Sequence, residues 1–464
     1  MNVKKGRQFE VEITDIAFGG KGLTRIDGMA VFVDQAIPGD HAHVQIIKKR
    51  KNYAEARIIE LIDPSADRIQ APCPYSGYCG GCKWQFLDYR EQLTYKRQHV
   101  VDSLEHIGLI KDAAVHPTIA SEFTFGYRNK MEFSCSDRRW LLPSELGNSH
   151  LNREFAIGLH VPGTFYKVID IQSCLLQPNL GNSILNDVRS FVQSSGKPVY
   201  GLRSHVGFWR FIVLRHSRAY NQWMVNIVTS AAEPDVVAPL GRLLMDKYPE
   251  VISVINNVTA RRAGVAIGEF EETVAGQSTI SDKISVFDFT ISANSFFQTN
   301  TLGATRLYDI VKNYAGLHGG ETVLDLYSGT GTIPIVLSES AREVIGIEMV
   351  ESAVKDANKN CERNKIVNCK FIMGEIKNCL PQIARRPDLV IVDPPRVGMH
   401  KEVVKQLLDM APNRIVYVSC NPATLARDLN MMIEAYRVAE VQPLDMFPHT
   451  YHVESVVKLE KKGK

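Results

Sequence analysis

Glu321-Thr322-Val323-Leu324-Asp325-Leu326-Tyr327-Ser328-Gly329-Thr330-Gly331-Thr332 decides the fold. Val323 to Leu326 reads as a short buried strand, and the glycine-rich turn behind it hands the chain to a helix. The alternation continues downstream. Val344 to Ile347, Cys369 to Ile372, Leu389 to Val392, Ile415 to Val418, Val441 to Met446 and Val456 to Leu459 read as apolar strands, with helical stretches such as Val350 to Asn364 between them. This pattern predicts a doubly wound α/β domain on a parallel sheet over residues 284–464, with ligands at the strand carboxyl ends. Glu348 closes the second strand 19 positions after Gly329, the spacing at which an acid meets an adenosine ribose. Pro334 stands where the third glycine of the dinucleotide fingerprint would be, so the turn alone does not specify a cofactor.

Two further strand ends carry chemistry. Asp393-Pro394-Pro395-Arg396 closes the fourth strand and resembles the turn of S-adenosylmethionine methyltransferases, in which an acid and rigid prolines shape the floor beneath the methyl group. Ser419-Cys420-Asn421-Pro422-Ala423-Thr424-Leu425 follows the fifth strand. Asn421 reads as an N-cap and Pro422 as the first helical residue, so Cys420 falls between a strand end and a helix amino terminus, where the dipole is expected to favour a thiolate. A thiolate has a use in methyl transfer when the acceptor is carbon 5 of uracil. That carbon is too weak a nucleophile until a thiolate adds at carbon 6, and a base must afterwards remove the carbon 5 proton. Glu454, in Pro448-His449-Thr450-Tyr451-His452-Val453-Glu454, is the candidate base.

Upstream, the 464-residue chain leaves room for about two more domains. Residues 1–62 alternate short strands (Gln8 to Ile13, Ala30 to Val33, His41 to Lys48, Ala54 to Ile62) with glycine turns, the pattern of a small OB-like β-barrel. Lys48, Lys49, Arg50, Lys51 and Tyr53 put a basic stretch and an aromatic at one strand end, suited to a phosphate backbone. Asp15 to Gly22 (DIAFGGKG) and Pro38-Gly39-Asp40 resemble the TRAM domain, often appended to RNA-modifying enzymes.

Residues 63–283 read as a mainly β central domain. Cys73, Cys79 and Cys82, spaced C-x5-C-x2-C in a loop rich in Gly, Pro and Tyr, are good metal chemistry and poor packing. Cys135, on the apolar face of a strand, and Cys174, after a strand and before a proline loop, both stand open as the fourth ligand. A single distant fourth ligand suits an iron-sulfur cluster better than zinc, which takes paired C-x2-C knuckles. Tyr89 to Leu104 reads as an amphipathic helix with Lys96, Arg97 and His99 on a basic, solvated face. Phe123 to Lys130 interleaves aromatics with Arg128 and Lys130, a mixture that fits single-stranded RNA, and Arg203, Arg210, Arg215, Arg261 and Arg262 could line the same region.

Composition is that of an ordinary globular protein, 45% hydrophobic and 23% charged, and a net charge of +3 neither demands nor excludes nucleic acid. Nine cysteines, an odd number, without a secretory signal or an apolar run of membrane length lead us to expect reduced thiols, no membrane and a cytoplasmic location.

Taken together, these motifs resemble the RNA (uracil-5-)-methyltransferase family, in the branch with a TRAM domain and a 4Fe-4S cluster, over nearly the whole chain. The resemblance implies that Cys420 is the nucleophile and Glu454, after His452 and Val453, the base. It also implies that Gln298 (in Phe296-Phe297-Gln298), Tyr327, Gly329, Glu348 and Asp393 contact S-adenosyl-L-methionine, and that Cys73, Cys79, Cys82 and Cys174 hold the cluster. The expected partner is structured RNA: 23S ribosomal RNA by preference, transfer RNA as the alternative. A non-catalytic RNA-binding iron-sulfur protein is the rival of a different class. Residues 136–160 look like an insertion that lengthens the gap before Cys174.

Overall fold

The computed structural model describes residues 3–262, 264–383 and 385–463. Strands β1 (Gln8–Glu12), β2 (Asp15–Ala17), β3 (Lys21–Ile26), β4 (Met29–Asp34), β5 (His41–Lys49) and β6 (Tyr53–Asp63) make one sheet in the order β1-β5-β6-β4-β3-β2. It wraps a core that includes Val11, Ile13, Val31, Val33, Val44 and Ile46. Asp15 to Gly22 forms the β2–β3 turn. Gly20 there has φ +83°, and a Cβ on it would lie 3.1 Å from the Trp84 ring nitrogen and 3.3 Å from Tyr451, so glycine lets this unit dock closely on the rest of the chain.

Helix α1 (Tyr89–His106) follows the cysteine loop. A second sheet then forms from β7 (Lys130–Ser136), β8 (Ala156–His160), β9 (Val168–Asp170), β10 (Trp209–His216), β11 (Trp223–Thr229), β12 (Val251–Val258) and β13 (Phe270–Gly276), in the order β13-β12-β11-β10-β7-β8-β9. Helices α2 (Asn179–Ser194) and α3 (Pro234–Lys247) share its core, and α3 is the crossover that makes β11 and β12 parallel. A hairpin, β14 (Thr279–Ile284) and β15 (Phe287–Ser292), straddles the expected domain limit at 283; its Ile280, Ile284, Phe289 and Ile291 pack with the carboxyl-terminal core.

Beyond α4 (Thr301–Ala315) lies the third sheet: β16 (Thr322–Leu326), α5 (Thr332–Ser338), β17 (Glu343–Glu348), α6 (Glu351–Arg363), β18 (Cys369–Met373), α7 (Ile376–Cys379), β19 (Leu389–Val392), α8 (Lys401–Met410), β20 (Arg414–Ser419), α9 (Pro422–Met432), β21 (Tyr436–Leu444) and β22 (Glu454–Lys461). Its order is β18-β17-β16-β19-β20-β22-β21. The sequence predicts a parallel sheet throughout, but β22 runs antiparallel to both neighbours. Residues 445–453, between β21 and β22, are too few for the crossover that parallel neighbours need, so the chain turns back instead.

Two expectations about basic residues are corrected here. Lys96 and His99 on α1 are buried, not solvated: Lys96 pairs with Asp445 at 2.6 Å and donates to the Phe447 carbonyl at 3.1 Å. The helix is therefore clamped to the carboxyl-terminal domain. Arg210 and Arg215 are also buried, and Arg210 is spent on the carbonyls of Thr259 and Arg261, which withdraws both from any RNA-facing role. Among the described residues, no helix is long and apolar enough to cross a membrane.

Candidate active site

Every candidate residue of the carboxyl-terminal domain opens onto one cavity of about 690 Å³. Gln298, Tyr327, Gly329, Glu348, Asp393, Cys420 and Glu454 all line it, together with Arg128, Arg396, Phe447 and His452. The volume falls within the range of small-molecule sites.

One half of the cavity is built at the ends of β16 and β17. Tyr327 takes a left-handed conformation (φ +67°), and Gly329 (φ +53°) and Gly331 (φ +79°) complete the turn. A Cβ on Gly331 would lie 2.8 Å from Phe371 and 3.0 Å from Ala357, so glycine is required there by close packing. Glu348 fixes the turn by accepting from the Gly329 amide (2.9 Å) and the Val350 amide (2.8 Å). Gln298 sits just ahead of α4, where Asn129 holds its carbonyl at 2.8 Å. Behind the turn, both carboxyl oxygens of buried Asp325 lack a partner among the described residues, and burial beside Asp393 and Glu348 pushes that acid well above its ordinary range. Burial also raises Asp393 to about 7. The carboxyl groups of Glu348, Asp356 and Asp393 in the cavity wall fit a ligand carrying positive charge, as the sulfonium and ammonium groups of S-adenosylmethionine do.

The other half lies where β20 meets β22. Their antiparallel ladder ends with Ser419 paired to Ser455, so Cys420 leaves β20 and Glu454 enters β22 at the same end of the pair, where both line the cavity. Burial, then Asp393, pushes Glu454 up to about 8, against the pull of Arg396. Burial and Glu454 push the Cys420 thiol up to about 11, while Arg396, which hydrogen-bonds the sulfur, draws it down. Asn421 caps α9 with its own side chain, accepting the Ala423 amide at 3.1 Å, and Pro422 has no N–H to offer. The positive charge beside the sulfur comes from Arg396. The signal for this residue in the sequence is its position directly after Asp-Pro-Pro at a strand end. Its backbone carbonyl also receives the Asn421 amide group (3.0 Å) and the Thr424 hydroxyl (3.2 Å), which ties the two loops together. His452 is kept neutral, at about 4, by burial and by Arg396.

Glu454 is approached through residues 445–453, a segment held from several sides. The His449 carbonyl accepts the amides of Lys83 (2.7 Å) and Trp84 (3.0 Å), Gln92 accepts the His449 amide (2.8 Å), and Tyr127 donates to the Pro448 carbonyl (3.2 Å). Tyr451 meets Phe18 of the first sheet edge-on at 5.4 Å.

Behind Arg128 of the cavity wall, whose charge acts on Cys82 and Cys174, the residues Cys73, Cys79, Cys82 and Cys174 line a single small cavity, whereas Cys135 is sealed within the core. Burial raises Cys79 to about 12 and Cys82 to about 11, with mutual repulsion adding to the effect. Protein N–H groups point at the sulfurs: Gly81 at Cys79 (3.4 Å) and the Gln85 side chain at Cys82 (3.2 Å). Among the described residues, no three His, Cys, Asp or Glu side chains are grouped so as to hold a metal ion.

Comparison with known proteins agrees with this architecture. A family model described as tRNA (uracil-5-)-methyltransferase matches residues 247–378 and 384–462, and a TRAM domain matches residues 2–59. An uncharacterized RNA methyltransferase of Chlorobaculum tepidum is 43% identical, covering 99% of this chain and 97% of its own. Another from Bacteroides thetaiotaomicron is 40% identical over 96% of this chain and 100% of its own. The crystal structure of the Pyrococcus abyssi tRNA (uracil-54, C5)-methyltransferase with S-adenosyl-L-homocysteine superposes with a TM-score of 0.76 at 29% identity, covering 97% of this chain and 100% of that one. The chain therefore belongs to the RNA (uracil-5-)-methyltransferase family of S-adenosylmethionine-dependent enzymes, and it carries a TRAM domain at its amino end.

Proposed function

We propose that this enzyme methylates carbon 5 of a specific uridine in structured RNA through a covalent adduct, with Cys420 as nucleophile and Glu454 as base. The observation that carries the reading is that Cys420 and Glu454, at the same end of the β20–β22 pair, line one cavity with the glycine turn and Glu348. Gln298, Tyr327, Gly329, Glu348 and Asp393 would hold S-adenosylmethionine, which supplies an electrophilic methyl group when bound. The Cys420 sulfur, relieved of its proton beside Arg396, adds to carbon 6 and makes carbon 5 nucleophilic. Once carbon 5 carries the methyl group, the Glu454 carboxylate takes the carbon 5 proton and the carbon–sulfur bond breaks, which returns the thiolate. The balance is one methyl group in and one proton out. A base at about 8 suits this step because its strength and its ionised fraction are both useful near neutral pH.

Residues 1–62 and 63–283 are assigned to RNA binding, with the target base turned out of its stack into the domain formed by residues 284–464. For Cys73, Cys79, Cys82 and Cys174 we propose a structural 4Fe-4S cluster. The four thiols around one cavity and the N–H groups aimed at sulfur support it. The TRAM and cysteine combination favours large-subunit ribosomal RNA in a cytoplasmic setting. The likeness to the Pyrococcus abyssi enzyme, whose substrate is transfer RNA, supports the second reading.

Mapping 5-methyluridine in ribosomal and transfer RNA from cells with and without the enzyme tests the substrate. Tritium release from 5-tritiated uridine RNA tests the chemistry, and no release sinks it. Iron and sulfide analysis after anaerobic purification tests the cluster, and stoichiometric zinc refutes it.

A further inference from the structure

Residues 136–160 and the hairpin after them build a surface that the chemistry in the cavity does not use. Trp140, beyond the end of β7, donates its amide to the Val168 carbonyl at 2.7 Å and so lies along edge strand β9. There the Lys167 ammonium sits 3.8 Å from the centre of a Trp140 ring. Arg203, from the loop before β10, stacks over Tyr166 at 3.7 Å, and Phe165 meets Tyr166 edge-on at 5.2 Å. Phe165 is 68% exposed and Trp140 39%. Three aromatic rings and two cations thus share one open face.

Neither cation is committed. Among the described residues, no carboxylate pairs with Lys167 or Arg203, and neither side chain donates a hydrogen bond to protein. Glu145 and Asp170, acids of the same region, are taken by Arg139 and Arg189. A cation lying on a ring keeps N–H donors free for an anionic oxygen. Self-association through this face would bring uncompensated like charges together, which is costly. A polyanion with stackable rings satisfies both features at once.

We propose that Trp140, Phe165, Tyr166, Lys167 and Arg203 form an auxiliary RNA-binding surface, with bases stacking on the rings and phosphates taken by the two cations. The proposal rests on the chain acting on RNA, and it concerns a place apart from the cavity. Arg128 lines the cavity just ahead of β7, whereas the surface lies at edge strand β9, two strands and roughly 10 Å across the sheet at ~4.8 Å per strand, with β8 between them. The surface would therefore read flanking RNA rather than the acceptor base.

The test uses the full-length protein and two fluorescent oligouridylates, one of about 30 nucleotides and one of about six, the longer exceeding a single-domain footprint. The K167E/R203E variant is expected to bind the longer probe roughly tenfold or more weakly, with the salt slope reduced by ~0.7 per lost phosphate contact. The W140A/F165A variant is expected to weaken the same probe with an unchanged slope, and both variants should bind the six-nucleotide probe as the parent does. Unchanged binding of the longer probe overturns the proposal, and so does an equal loss on both probes. Light scattering that shows a parent dimer broken by K167E/R203E assigns the face to protein contact and overturns it as well. Formation of 5-methyluridine by the parent enzyme is scored separately: its absence with the slope difference intact sinks the proposed function, whereas its presence without that difference sinks only the surface.

Discussion

The two catalytic candidates line the same cavity, yet they are held in contrasting ways. The Cys420 loop is fixed by near neighbours in the chain: the Asn421 cap, and the Asn421 and Thr424 side chains on the Arg396 carbonyl. The segment leading to Glu454 is fixed by residues more than 300 positions away, among them Gln92, Lys96 and Tyr127. Cys420 is thus positioned by its own part of the chain. Glu454 follows a segment, residues 445–453, that the cysteine loop, α1 and the central region hold in place.

Four substitutions break or sharpen that contrast. Cys420→Ala is expected to bring methylation and tritium release down to assay background while leaving thermal stability and cofactor affinity unchanged. Glu454→Gln should slow turnover by roughly 10²–10⁴-fold, the usual weight of a general base, and accumulate a methylated protein–RNA adduct visible by denaturing electrophoresis; loss without adduct would argue against its role. Lys96→Met strands a buried carboxylate on Asp445, at a cost of about 3–5 kcal/mol. Its melting temperature should fall and turnover should drop with cofactor affinity retained, because the damage reaches the base's segment and not the glycine turn. A K96M/D445L protein should recover part of the stability.

Arg396→Gln is the smallest and the most diagnostic. Without the guanidinium the thiol rises further from about 11, and each unit costs about tenfold in thiolate near neutral pH. The sign is fixed by the two groups. Both must lose a proton to act, and both lie above their ordinary values, so kcat/KM should climb as pH rises through about 8, where Glu454 ionises. Arg396→Gln should keep the change of slope near 8 and be partly rescued by alkali; Glu454→Gln should lose that change of slope and keep only the thiol's rise toward about 11.

The same contrast explains what could be read without coordinates. Cys420, Glu348 and the glycine turn stand at strand ends in regular apolar alternation, and that alternation is local, so their shared location was legible. The reversal of β22 was less so, because it depends on loop length rather than on side-chain pattern. Lys96 and Arg210 misled because charge suggests solvent, and only the fold reveals that Asp445 or a set of carbonyls waits in the interior. Arg396 lay in a quoted motif, but its effect on the sulfur arises across the sheet, between loops after β19 and β20.

The crowd of acids around the half of the cavity proposed to hold the methyl donor has a calorimetric consequence. With Asp393 at about 7 and Asp325 well above its usual range, the empty cavity stores protons at neutral pH. A cationic methyl donor lowers those values and expels protons as it binds, whereas the uncharged thioether left after transfer does so less. Donor affinity should therefore strengthen with pH more steeply than product affinity, and the heat of donor binding should vary with the ionisation enthalpy of the buffer. Each turnover would then be accompanied by a proton cycle in the cofactor wall, separate from the proton that leaves carbon 5.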